Sequence, residues 1–154
     1  MGAVLARHLA ARTDLAAFVS PQLRATQTAD LALAPLGLVA RRDYRLSVIM
    51  FGAWQGLTDC EIATRWPESG PIRRTDPFGW HFTAPGGESF AALTARLTAF
   101  IGDLDGPAMI VSHGIALRVL RGLCLGLDQA GMAALPGGQG GVWRIQDGRH
   151  SILA

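Results

Sequence analysis

The sequence predicts a three-layer α/β fold in which a mostly parallel sheet is flanked by helices. Short apolar runs typical of buried strands alternate along the chain with amphipathic segments typical of helices. Strands that alternate with helices in this way favour a parallel sheet with helices on both of its faces. The chain has 154 residues, which is enough for a sizeable core, and residues 1–154 are predicted to form a single domain.

The first elements follow from apolar spacing and from the residues that interrupt it. Residues 2–13 are predicted to be helical, because their apolar side chains recur at helical spacing. The apolar run 15–19 predicts a buried strand that Ser20 and Pro21 end. A helix is predicted over 22–34, and a second strand over 38–46.

The middle of the chain predicts two helices separated by a long connection. Thr58 and Glu61 form a capping-box pattern that predicts a short helix over 58–65. Residues 66–87 are rich in proline, glycine and aromatic side chains and are predicted to be a long loop that covers a site. Another helix is predicted to begin near residue 89 and to end near Leu104.

The last third of the chain predicts one more strand–helix unit and a hairpin. A buried strand over 107–112 is followed by a helix over 114–126 and by a flexible loop over 136–141. Asp147 and Gly148 are typical of a two-residue hairpin turn. The flanking strands, 142–146 and 150–153, are predicted to add an antiparallel edge to the sheet.

Composition and charge argue against several kinds of partner and against a membrane-spanning protein. The net charge is only +2 and the arginines are scattered, which argues against a nucleic-acid partner. No apolar run is long enough for a membrane span, and no leader pattern is recognised, so a cytoplasmic protein is predicted. Cys60 and Cys124 lack metal-ligand spacing and are predicted to be reduced, buried thiols; no metal and no cofactor are expected.

Two side chains are placed where open α/β sheets bind ligands, at the carboxyl ends of strands. His113 follows the 107–112 strand, and Gly114 then opens a helix whose N–H groups can bind an anion. Arg24 lies in the first turn of the helix after the first predicted strand, where a guanidinium can bind phosphate through two hydrogen bonds. Alone, His113 also fits a core histidine and Arg24 a solvated surface residue.

Four motifs in order resemble those of the histidine phosphatase superfamily, in its phosphoglycerate mutase-like branch. Ser-Pro-x-Leu-Arg-Ala from Ser20, in which x is any residue, resembles the second motif, and Arg-Leu from Arg45 with Phe-Gly from Phe51 resembles the third. Pro-Gly-Gly-Glu-Ser from Pro85 and Ser-His-Gly from Ser112 resemble the fourth and the fifth. The resemblance covers nearly the whole chain.

The resemblance implies metal-independent phosphoryl transfer through a phosphohistidine. In that family one histidine is the nucleophile, a second histidine and two arginines stabilise the transferring oxygens, and a glutamate transfers the proton. Arg24 resembles a phosphate-binding arginine, and His113 resembles the second, charge-stabilising histidine, which makes it the candidate catalytic residue. Glu88 and His81 are candidates for the rim of the site.

Two departures from the family pattern predict impaired catalysis. The family's first strand and its Arg-His-Gly motif are not found in the chain; Arg7-His8-Leu9 lacks the glycine and is predicted to lie mid-helix. The position of the family's acid is occupied by Val48, which cannot transfer a proton. The predicted fold therefore lacks the family's first strand, and the predicted domain is truncated at its N-terminus relative to the family.

Two functions are compatible with these residues. One is a phosphatase or phosphomutase whose N-terminal segment lies outside this sequence. The other is a catalytically inactive homologue that binds phosphate or another protein. The expected ligand is a phosphorylated small molecule or inorganic phosphate. Because the missing strand would lie inside the family's sheet, we expect either a rearrangement or a homodimer to cover the gap.

Overall fold

The computed structural model describes residues 15–138 and 140–153. The helix predicted over 2–13, with Arg7 and His8, lies outside the described residues. The described strands and helices are, in chain order, β1 (Ala16–Val19), α1 (Leu23–Leu33), β2 (Arg41–Arg42), α2 (Asp59–Arg65), α3 (Ser69–Thr75), α4 (Phe90–Gly102), β3 (Ala108–Val111), α5 (Gly114–Cys124), α6 (Gln129–Ala134), β4 (Val142–Gln146) and β5 (Arg149–Leu153).

A parallel sheet of strand order β2-β1-β3 lies in the first of two compact units, whose described residues are 15–48, 96–138 and 140–153. Val19 of β1 is in register with Val111 of β3, so the two strands end at the same level. Ala17 and Val19 point to one face and pack there against apolar residues of α1. Phe18 alternates to the other face, as the two-residue period of a strand requires.

Phe100 of α4 covers that second face. Its ring meets Phe18 edge to face at 5.3 Å between centroids, and it is almost completely buried. The guanidinium of Arg45 lies 5.4 Å from the Phe100 centroid on the ring face. Helices therefore flank the parallel sheet on both faces, which confirms the predicted three-layer α/β fold.

The second compact unit comprises residues 49–95. Its core is formed by Trp54, Ile62, Trp80 and Ala84, and the two indole rings stack at 4.9 Å between centroids. Thr58 and Glu61 make the predicted capping box at the start of α2. The sequence predicts a long loop over 66–87, and this prediction is wrong. The segment contains α3 and a 3-10 turn over Gly79–Phe82.

Two strand predictions need correction. The strand predicted over 38–46 pairs only at Arg41–Arg42, because the carboxylate of Asp43 accepts the N–H of Arg45 and starts a 3-10 turn. The C-terminal hairpin forms as predicted around Asp147 and Gly148, but within the described residues it is a separate two-stranded sheet rather than an edge of the parallel one. Its two strands satisfy each other's hydrogen bonds, so they do not require a place in the larger sheet.

Two further features bear on the composition-based predictions. Cys60 and Cys124 are free thiols, but both are exposed, so the prediction of burial is wrong. No helix among the described residues is long and apolar enough to cross a membrane.

Within those residues β3 lies at an edge of the parallel sheet. The absence of a first strand and the homodimer stay predictions.

Candidate functional site

The parallel register brings two of the four motifs together at the carboxyl ends of neighbouring strands. β1 ends at Val19 and β3 at Val111, and the N–H of Ser20 donates to the Val111 carbonyl at 2.9 Å. Ser20 and His113 therefore leave the sheet at the same edge, one on each strand. This edge of an open α/β sheet is where ligands bind, as the sequence predicted.

His113 contacts three side chains from the segment after β1. Its Nε2 lies 2.8 Å from Ser20 Oγ and 3.2 Å from Gln22 Oε1. Its Nδ1 lies 3.1 Å from Nη2 of Arg24. Ser20 is completely buried, whereas Arg24 is exposed, so the guanidinium lies on the solvent side of the ring. The structure thus brings together the two residues that the sequence singled out, Arg24 and His113.

The surroundings of His113 favour its neutral form. Partial burial of the imidazole lowers its pKa from 6.5 to about 4, and the positive charges of Arg24 and Arg96 act in the same direction. A bound anion would offset both arginine charges. A neutral imidazole in contact with one guanidinium group and within the electrostatic influence of a second is therefore suited to receive an anion.

This pKa predicts a pH dependence of stability. Because the folded-state pKa of His113 lies below its ordinary value of 6.5, the unfolded chain binds a proton between those values that the folded chain does not. The free energy of unfolding is therefore expected to fall as the pH is lowered from about 6.5 to about 4, with the contribution of His113 fully present above that window. Urea unfolding at about pH 7 and about pH 5 measures the change. His113→Asn, which does not titrate there, should lose less stability than the wild type; equal losses would contradict the prediction.

The helix that follows His113 adds hydrogen-bond donors to the site. α5 begins at Gly114 and runs for 11 residues, and its first-turn N–H groups have no acceptor within the helix. A Cβ built on Gly114 would meet no heavy atom within 4 Å, so there is open space beside the helix N-terminus. The macrodipole favours negative charge at this end of the helix.

Arg96 and Ser112 hold the segment that precedes Val48. Arg96 donates from Nη1 to the carbonyl of Arg45, and from Nη2 to that of Ser47 at 3.0 Å. Ser112, the residue before His113, donates from Oγ to the Leu46 carbonyl at 2.7 Å. Leu46, two residues before Val48, is thus anchored to the residue next to His113. Val48 occupies the position at which the family pattern has its acid.

The other two motifs meet inside the second unit. Ala53 donates from its N–H to the Pro85 carbonyl at 2.9 Å, and Glu88 donates from its N–H to the Met50 carbonyl at 2.8 Å. Gly52 has a φ of +48°, and a Cβ there would lie 2.3 Å from the Pro85 oxygen, so only glycine fits this close approach.

The two candidate rim residues, Glu88 and His81, also belong to this unit. Both are half-buried, and Nδ1 of His81 lies 3.3 Å from the Phe78 carbonyl oxygen. Their placement at the rim of a phosphate site stays a prediction.

The sequence assigned no role beside His113 to Ser20, Gln22 or Arg96. Ser20 was interpreted as the end of a strand and as part of the second motif, and Gln22 only as the start of a helix. Arg96 lies in the middle of α4, at a position where nothing in the local sequence distinguishes it from a solvated arginine. Only the pairing of β1 with β3 carries a signal for Ser20, since it places the two strand ends side by side.

Comparison with known proteins identifies relatives of the whole chain. The model of the histidine phosphatase superfamily (branch 1) matches residues 2–151. A bifunctional protein of Mycobacterium tuberculosis is 36% identical over 126 residues, which cover 78% of this chain and 34% of that protein. The glucosyl-3-phosphoglycerate phosphatase of the same organism is 32% identical over 149 residues, which cover 88% of this chain and 65% of the enzyme. The chain therefore spans about a third of the first relative and just under two thirds of the second.

Solved structures show the same fold. The native structure of mycobacterial glucosyl-3-phosphoglycerate phosphatase is similar to this chain, with a TM-score of 0.72 and 30% identity, over 98% of this chain and 82% of that one. The structure of that phosphatase in complex with inorganic phosphate gives a TM-score of 0.68 and 32% identity, over 88% of this chain and 71% of that one. The alpha-ribazole phosphatase of Shigella flexneri, at 23% identity and a TM-score of 0.70 over 89% of this chain and 70% of that one, shares the fold.

Proposed function

This chain belongs to the histidine phosphatase superfamily (branch 1), and we propose that it binds the phosphate group of a phosphorylated small molecule at Arg24 and His113 while phosphomonoester hydrolysis is impaired. The observation that carries the proposal is the 3.1 Å contact between Arg24 Nη2 and His113 Nδ1 at the carboxyl edge of the parallel sheet. A guanidinium and a protonated imidazole can both donate hydrogen bonds to phosphate oxygens, and here the two side chains are in direct contact.

The donors converge from two directions. Arg24 supplies a guanidinium from α1, and the first turn of α5 supplies N–H groups beside His113. This combination of charge and backbone donors is the usual one for a phosphate group. The phosphate complex of the mycobacterial relative supports an oxyanion as the ligand class. The names of the relatives support a small phosphomonoester as the substrate class.

The proposed impairment of hydrolysis rests on Val48, the residue at the position of the family's acid. Proton transfer by a positioned acid contributes about 10²–10⁴-fold to a rate, and a valine cannot supply it. No Arg-His-Gly sequence occurs among the 154 residues, so the nucleophile of the family has no match in them. The remaining groups bind and stabilise charge, which supports phosphate binding as the activity of this chain.

The test measures binding and turnover on the same protein. Isothermal titration with inorganic phosphate should give a binding isotherm for the wild type and a much weaker one for His113→Ala. An aryl phosphate ester should be hydrolysed no faster by the wild type than by His113→Ala. Absence of phosphate binding would contradict the proposed ligand, and hydrolysis that depends on His113 would contradict the proposed impairment.

Several sequence-based predictions extend this proposal. Residues 1–154 acting as one functional domain, a cytoplasmic location and a homodimer all stay predictions. So does the placement of Glu88 and His81 at the rim of the phosphate site.

A further inference from the structure

A buried hydrogen-bond relay lies behind His113, on the side away from Arg24. Ser20 Oγ lies between the ring and Gln22: it is 2.8 Å from His113 Nε2, and it donates to Gln22 Oε1. Gln22 Oε1 also lies 3.2 Å from Nε2. Ser20 is completely buried, so its hydroxyl depends on these protein partners rather than on solvent.

Gln22 is placed for this contact rather than for capping its helix. It is the N-cap residue of α1, yet its side chain accepts no hydrogen bond from the first turn of that helix. Its carbonyl oxygen is instead directed at Ser20 and His113. A glutamine whose only role was to begin the helix would not need this orientation.

The contacts fix the proton on the neutral ring. Arg24 can only donate, so Nδ1 of His113 must accept, and the ring proton is on Nε2. The Nε2–H then donates to Ser20 Oγ, whose own proton goes to Gln22 Oε1. With the ring proton on Nε2, both Ser20 Oγ and Gln22 Oε1 lie within reach as acceptors for it, and Nδ1 accepts from Arg24.

We propose that Gln22, acting through Ser20, is a positioning residue that keeps Nε2 of His113 protonated, so that Nδ1 takes up a proton from solvent when an oxyanion binds. This inference rests on the proposed function. An oxyanion oxygen placed beside Arg24 and His113 needs donors, and Nδ1 of the free ring has none to offer. Since Gln22 prevents the Nε2 proton from being given up, Nδ1 becomes a donor only by binding a second proton.

Without Gln22 the same ring could respond differently. The Ser20 hydroxyl would be free to rotate and donate to Nε2, and the ring could carry its one proton on Nδ1. Phosphate would then bind to a neutral imidazole, with no proton uptake. The charged groups acting on the ring are Arg24 on α1 and Arg96 on α4, both of which oppose the second proton until an anion is present. The pKa of about 4 in the free protein leaves Nδ1 unprotonated at neutral pH and available for uptake.

Nitrogen-15 NMR of the His113 ring, at neutral pH with and without saturating inorganic phosphate, tests the inference. The free wild type should show a bare Nδ1 and a protonated Nε2, and the phosphate-bound protein should show both nitrogens protonated. In Gln22→Met the bound ring should be neutral with its proton on Nδ1, and phosphate affinity should fall about 5-fold, since a neutral donor replaces a charged one. Gln27→Met, on the exposed surface of the same helix, is the matched control and should behave as the wild type.

The outcomes separate this inference from the proposed function. If phosphate changes no resonance of the wild-type protein, the proposed function fails. If phosphate binds but Nδ1 stays bare, or if Gln22→Met matches Gln27→Met in the bound state, phosphate binding stands and the role of Gln22 is overturned.

Discussion

Replacing Arg24 with alanine is expected to weaken the binding of inorganic phosphate by about 10- to 100-fold. The guanidinium lies 3.1 Å from His113 and donates from a position open to solvent, where a ligand can reach it. A hydrogen bond between charged groups contributes about 1.5–3 kcal/mol, and exposure to solvent places this one toward the lower end of that range. The loss is measured by isothermal titration at a fixed ionic strength.

Two variants separate geometry from charge in this prediction. Arg24→Lys keeps the charge but loses the planar fork, so it should bind phosphate with an affinity between those of the wild type and Arg24→Ala. Arg149→Ala removes an exposed arginine from the C-terminal hairpin and should leave the affinity unchanged. If Arg149→Ala lowered the phosphate affinity as much as Arg24→Ala does, phosphate binding would depend only on net charge, and the proposed role of Arg24 would be contradicted.

Truncation of Phe100 to alanine should lower the free energy of unfolding by about 3–5 kcal/mol. The ring is 1% exposed and packs edge to face on Phe18, so it joins α4 to the second face of β1. The same helix carries Arg96, which holds the carbonyls of Arg45 and Ser47. A loosened α4 would therefore also loosen the segment next to His113.

Urea unfolding monitored by circular dichroism measures this loss. Leu31→Ala, which truncates an 80% exposed apolar side chain on α1, is the control and should change the free energy of unfolding by less than about 0.5 kcal/mol. If Phe100→Ala cost no more than Leu31→Ala, the described packing between α4 and the sheet would not be what stabilises this unit.

The strand–helix units could be predicted from the sequence because their signals are local. The apolar runs before Ser20 and His113 end at residues that cannot continue a buried strand, and both strands form where predicted, over Ala16–Val19 and Ala108–Val111. The turn at Asp147 and Gly148 has positive φ at both residues, and the Asp-Gly pair is typical of such a turn, so the sequence predicts it. In each case a few neighbouring residues determine the structure.

What could not be predicted depends on side-chain contacts that the apolar pattern of the sequence does not reveal. The second strand is limited to Arg41–Arg42 because the Asp43 carboxylate accepts the N–H of Arg45. This hydrogen bond competes with strand pairing, and the apolar pattern of the segment does not indicate it. The α6 helix was missed because Gln129–Ala134 is short and its N-cap, Asp128, stands in a segment without a clear apolar period. The contact of Gln22 with His113 joins residues 91 positions apart, and no local pattern encodes it.

In the candidate site, too, some features could be predicted from the sequence and others could not. The motifs predicted which side chains matter at each strand end, and parallel pairing explains why they meet. The motifs did not predict that Arg24 would contact His113 directly, nor that a serine and a glutamine would stand behind the ring. These contacts depend on side-chain rotamers and on the register of β1 with β3.

A crystal structure of the protein with vanadate tests the central claim, that Arg24 and His113 together hold an oxyanion. We expect the ion to lie between the Arg24 guanidinium and Nδ1 of His113, within hydrogen-bond distance of both and beside the first turn of α5. The direct contact between the two side chains, 3.1 Å in the free protein, should then be replaced by contacts through the ion. An ion bound elsewhere, with Arg24 and His113 still in direct contact, would contradict the account.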